Sequence, residues 1–87
     1  MSYEYETVII TLKNLKEKIS CDLEIPANVV IGHIKTKILD VMKNLYPEKF
    51  INWSDCKLIY KNFFLNESDI LSNTDVYDGS CVYIVGA

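Results

Sequence analysis

Glycine, proline and histidine are scarce in this 87-residue chain, which has three, two and one of them respectively. With only Gly32, Gly79 and Gly86, the sequence has no glycine-rich loop of the kind that cradles phosphates. The sole histidine, His33, would need Cys21, Cys56 or Cys81 beside it to form a Cys–His nucleophile. No local pattern sets that geometry, so His33 reads as a solvated side chain. The three cysteines are odd in number, far apart and without a C-x-x-C pair. That excludes a disulfide framework and a zinc site, and they read as free thiols packed as small hydrophobes. Asp69, Asp75 and Asp78 are scattered through a turn-rich segment, without the alternation of a calcium loop or the pairing of an acid–base couple. No cofactor, metal or catalytic residue is expected.

Long apolar runs are also missing. Stretches such as residues 8–10 and 29–31 fall far short of the roughly 20 residues needed to span a bilayer, so direct membrane insertion is not expected. The opening Met1-Ser2-Tyr3-Glu4 has no basic region followed by an apolar core, which makes the cytoplasm the expected compartment. Excess positive charge is absent as well. The net charge is −3 and the pI about 5.0, which argues against nucleic acid as a partner.

Against these absences stands an ordinary globular composition, 49% hydrophobic and 24% charged, and a length that supports one core; residues 1–87 read as a single domain. Residues 3–13 and 18–25 are alternating runs joined by the polar link 14–17, the pattern of a β-hairpin. In the first run Val8, Ile10 and Leu12 share a parity that should face the core. In the second, Ile19, Cys21, Leu23 and Ile25 alternate with Ser20, Asp22 and Glu24, and Pro26 closes the strand.

Ile31, Ile34, Ile38, Val41, Met42 and Leu45 recur at intervals of three and four, which predicts a helix over 31–46 with that stripe inward. Lys35, Lys37, Asp40 and Lys43 then fall on other faces. The helix should start at Asn28 or just after it, and Pro47 should end it. Trp53 is expected to pin the following loop to the core. Further strands are predicted at 56–60, 63–65 and 80–85, with Lys61-Asn62 and Asp78-Gly79 as turns and Ile70, Leu71 and Val76 tying down the segment between. Val82 and Ile84 should face inward, leaving Cys81, Tyr83 and Val85 outward.

A single helix can bury its stripe against only one face of a sheet. The expected class is therefore α+β: a ββαββ order plus a final strand, with one helix packed on a mixed sheet, which is the β-grasp arrangement. The segment Ile31-Gly32-His33-Ile34-Lys35-Thr36-Lys37-Ile38-Leu39-Asp40 resembles the helix of ubiquitin, and Cys56-Lys57-Leu58-Ile59-Tyr60, Leu65 and Val82-Tyr83-Ile84-Val85 resemble its later strands. The opening hairpin rich in Thr and Ile, the phrase Asp22-Leu23-Glu24-Ile25-Pro26-Ala27 and the Asp78-Gly79 entry to the last strand are similar to the YukD and EsaB family of small bacterial ubiquitin-like proteins. That resemblance implies a noncatalytic accessory of a type VII secretion system, with a membrane component of the apparatus as the protein partner.

Ubiquitin-type conjugation, like sulfur carriage by a thiocarboxylate, uses a flexible tail ending in a glycine pair. Here Gly86-Ala87 follows the last strand, so neither role is expected; a general interaction module is the other alternative. In the β-grasp arrangement Ile9, Ile59 and Tyr83 should be lateral neighbours on the sheet face away from the helix, with Val85 close by. The resemblance to ubiquitin's recognition patch, carried onto Ile59, Tyr83 and Val85, implies protein binding there, flanked by Lys57 and Lys61. A second copy of the chain is an alternative occupant of the same patch. The competing explanation is that Ile, Val and Tyr merely suit half-exposed strand positions.

Overall fold

A computed structural model describes residues 7–86. Strands β1 (Thr7–Asn14) and β2 (Ile19–Pro26) form the hairpin, helix α1 (Ile31–Leu45) and the single turn α2 (Pro47–Phe50) follow, and β3 (Cys56–Tyr60), β4 (Phe63–Phe64) and β5 (Cys81–Gly86) complete the sheet. Expected strand residues 3–6 lie outside the described residues; Asn14, expected in the link, ends β1, and β4 stops before Leu65. The sheet order is β2-β1-β5-β3-β4, mixed because β1 and β5 run parallel while every other pair is antiparallel.

The inward parity is as expected. Ile10, Leu12, Leu58, Val82 and Ile84 are at most 3% exposed and meet Ile31, Ile34, Ile38 and Met42 of the helix in one core. Phe50, a core residue the periodic stripe does not include, is fully buried. Trp53 packs on it edge to face with centroids 4.6 Å apart, pinning the loop as expected.

The helix departs from the expected stripe on two sides. Val41 and Leu45 are exposed, while Leu39 and Lys35 are buried, so the buried arc is rotated away from the Val41 side toward Lys35. Neither does a side chain cap α1, for Val30 occupies the cap position. Two leading amides are satisfied by backbone instead: Ile31 N–H donates to the Asp69 carbonyl at 2.8 Å and Gly32 N–H to the Glu67 carbonyl at 3.0 Å. Gly32 permits this approach, since a Cβ there would meet the Glu67 carbonyl oxygen at 3.3 Å. Leu71 N–H and Ser72 N–H, donating to Val29 and Ala27 carbonyls, fasten the same long loop to the β2–α1 connection. Leu71 and Val76 are buried there as expected, whereas Ile70 stays 37% exposed and contributes through a backbone bridge to Val30.

Lys35 is buried because its ammonium finds partners from distant segments. It donates to Asp55 at 2.8 Å, to Glu67 at 2.7 Å and to the Cys56 carbonyl at 3.2 Å, tying the helix to the start of β3 and to the loop after β4. These bonds, Asp55's first, raise the Lys35 pKa to about 12. The Lys35 ammonium, with help from the Cys56 amide, holds the Asp55 carboxyl below its usual value.

Candidate docking face

The sheet face opposite α1 is built by strand alternation: once Val82 and Ile84 are committed to the core, Cys81, Tyr83 and Val85 must point the other way. The β3–β5 register sets Ile59 directly across from Tyr83 and Lys57 across from Val85. On the outer side, Ile59 pairs with Phe64 of β4; on the inner side, Lys13 of β1 pairs with Tyr83. One row across the sheet therefore reads Phe64, Ile59, Tyr83, Lys13. Ile59 and Tyr83 are neighbours as the sequence implied.

Ile9 is not in that row. The parallel register places Thr11 beside Cys81 and Lys13 beside Tyr83, and the Gly79 amide donates to the Ile9 carbonyl, so Ile9 stands near the Asp78-Gly79 turn. It is 51% exposed on the same face, four residues along β1 from the position opposite Tyr83. Parity alone could not show this offset. The two lysines also separate: Lys57 Nζ lies 5.7 Å from the Phe64 ring centroid beside the patch, whereas Lys61 Nζ sits 5.3 Å from the ring of Tyr60, a core-facing residue.

A groove of 670 Å³ opens on this face, with Ile59, Tyr83 and Val85 among its lining and Leu15 and Trp53 also contributing. Leu15, 74% exposed, is the residue sequence reasoning missed. Its signal was present, as the lone apolar side chain in the polar link after Asn14. Asn14 shapes that link: its buried amide donates to the Ile84 carbonyl at 2.7 Å and its side-chain oxygen accepts the Glu17 N–H at 2.7 Å. One side chain thus anchors the turn carrying Leu15 to the strand carrying Tyr83 and Val85. At the other end, Lys61 and Asn62 take positive φ of 52° and 70°, forming the tight turn that returns Phe64 alongside Ile59.

The remaining candidate groups do not assemble. His33 is exposed on α1, Cys56 is buried with desolvation pushing its thiol up to about 11, and Cys21 and Cys81 are free and half-buried in separate strands. Among the described residues no group of three His, Cys, Asp or Glu could hold a metal ion, and no helix is long and apolar enough to cross a membrane.

No family model and no curated protein matches the chain. Solved structures do. A chain of the MycP5-free ESX-5 inner membrane complex in state II superposes with a TM-score of 0.76 at 18% identity over 93% of this chain, which spans about a fifth (21%) of that protein's length. Caldiarchaeum subterraneum ubiquitin matches at TM-score 0.69 and 23% identity over 94% of this chain and 95% of its own. A chain from the structure described as molecular mimicry of SUMO promoting DNA repair matches at 0.64 and 19%, over 95% of both. The fold is the ubiquitin-like β-grasp, one main helix on a five-stranded mixed sheet. At these identities the likeness establishes fold and nothing finer.

Proposed function

We propose that this chain is a noncatalytic, cytoplasmic ubiquitin-like protein of the YukD and EsaB kind. In this reading it serves a bacterial type VII secretion system by docking a membrane component of the apparatus on its open sheet face. The observation that carries the reading is the groove that Ile59, Tyr83, Val85 and Leu15 line, continued along the strand row by Phe64 beside Ile59, an apolar and aromatic surface on a face no other element covers among the described residues. Large side chains held on a rigid sheet present contact area with little ordering cost on binding. Ile59, Tyr83 and Val85 act as central anchors, Lys57 flanks them, and Ile9 and Lys61 belong to the margin. The superposition on a chain of the ESX-5 inner membrane complex supports the choice of apparatus.

Replacing Ile59 and Tyr83 with Asp tests this in the native cells, with export and thermal unfolding followed together. A central anchor is worth about 2 kcal/mol or more, roughly thirtyfold in Kd, so export should fall while the fold persists. Unchanged export by a stably folded double variant contradicts this face. A second copy of the chain as occupant would instead appear as a dimer in sedimentation that the same variant dissolves.

A further inference from the structure

The sheet has a second unpartnered feature, at the β2 edge, separated from the Ile59–Tyr83 pair by β1. β2 is the terminal strand, paired to β1 alone. On β1 the Ile9 carbonyl accepts from Gly79 and the Thr11 amide donates to Ser80, so the odd residues of β1 bond toward β5 and its even residues toward β2. In the register Ile10–Leu23 and Leu12–Cys21, the odd residues of β2 are therefore the ones consumed. Ser20, Asp22 and Glu24 turn their N–H and C=O groups to the outer edge, where no described residue pairs with them.

Beside that edge lies a groove of 270 Å³ between β2 and α1, floored by Leu23, Ile25, Ile34, Ile38 and Val41, with Lys37 also lining it. This groove accounts for Val41, one of the two stripe residues of α1 that the five strands leave exposed. A sixth strand on β2 would cover it. The acids fix the chemistry of that strand. Asp22 and Glu24 point to the open face, where Thr11 and Thr7 hydroxyls hold their carboxylates at 2.9 and 2.6 Å. Residues laid directly opposite them would share that face and meet negative charge, while the alternate residues would enter the apolar groove under Lys37. Two copies of β2 pairing antiparallel would bring acids against acids, which disfavours self-association here.

We infer that the β2 edge and the β2–α1 groove accept, by strand addition, an extended segment in which basic and aliphatic residues alternate. The basic residues stand opposite Asp22 and Glu24, and the aliphatic ones cover Leu23 and Val41.

The test uses a labelled, end-capped peptide Lys-Val-Lys-Ile-Lys-Val-Lys titrated into the intact chain, with amide exchange and NMR shifts as readouts and the same peptide with Glu in place of Lys as control. The expected result is saturable binding of the basic peptide, with slowed exchange at Asp22 and Glu24 and little binding of the acidic one. Val41→Asp, at a position outside the core, should weaken binding about tenfold by placing a charge in the apolar groove. The double change Asp22→Lys and Glu24→Lys should reverse the preference toward the acidic peptide. Ile59→Asp should leave peptide binding intact, which separates this groove from the docking face. No binding by the folded chain, equal binding of both peptides, insensitivity to Val41→Asp, or a dimer through β2 in its place would each overturn the inference.

Discussion

Lys35 and Glu67 are joined by a 2.7 Å ion pair although they lie 32 residues apart, and the same ammonium also reaches Asp55 and the Cys56 carbonyl. The pair fastens the helix to the loop that supplies backbone acceptors to its own N-terminus. Replacing Lys35 with Met keeps the stem packed but removes the charge. Hydrogen bonds to charged groups contribute about 1.5–3 kcal/mol, and the exposed carboxylates reduce this, so urea unfolding should register a loss of about 1–2 kcal/mol.

The clamp also sets a pH dependence. The Lys35 pKa is raised from 10.5 to about 12, so its contribution is complete below pH 10.5 and disappears as pH rises through about 12. Asp55 is lowered from 3.8, so its contribution is present above that value and is lost as pH falls below it. Unfolding free energy followed across both windows should decline at each end in the native chain. Both declines should be shallower in Lys35→Met.

The core contacts predict a contrast along α1. Ile34 is 1% exposed and Val41 38%, although both belong to one periodic stripe. Ile34→Ala should cost about 2–5 kcal/mol, and Val41→Ala should stay within about 0.5 kcal/mol. Equal losses in thermal or urea unfolding would mean that the helix is rotated from the orientation described.

Asn14 joins the Leu15 turn to β5 through its bonds to the Ile84 carbonyl and the Glu17 amide. Asn14→Ala should destabilise the fold by about 1–3 kcal/mol, because it strands a buried carbonyl. It should also broaden or shift the backbone resonances of residues 15–17 more than those of α1.

The Lys61-Asn62 turn has positive φ at both positions. Asn62→Gly should be neutral or stabilising by a few tenths of a kcal/mol. Asn62→Val should cost about 1–2 kcal/mol, since a β-branched residue resists the left-handed region. Differential scanning calorimetry of the two variants checks both signs.

What could be read from the chain before folding divides by the range of the physics involved. Strand alternation and the helical period are local, and they placed Leu12, Ile34, Val82 and Ile84 in the core. They also placed Ile59 on the opposite face beside Tyr83, because β3 and β5 are antiparallel neighbours in the arrangement the element order implies. Register between β1 and β5 is not local. It depends on where the long crossover delivers Cys81, and so Ile9 lies away from the row it was expected to join. Lys35 was misplaced for a related reason: a lysine on a helix reads as solvated until acceptors from residues 55, 56 and 67 are brought to it. Leu15 gained meaning only when the turn it occupies was found at the end of the groove lined by Tyr83 and Val85.

The proposed docking face is tested most directly by site-specific photocrosslinking in the native cells, with a benzophenone amino acid in place of Tyr83 and, as a control, in place of exposed Ser72 in the loop fastened to the β2–α1 connection. The account predicts an adduct from position 83 containing a membrane component of the secretion apparatus, identified by mass spectrometry, and no such adduct from position 72. The same adduct arising from position 72 while position 83 yields none would contradict it.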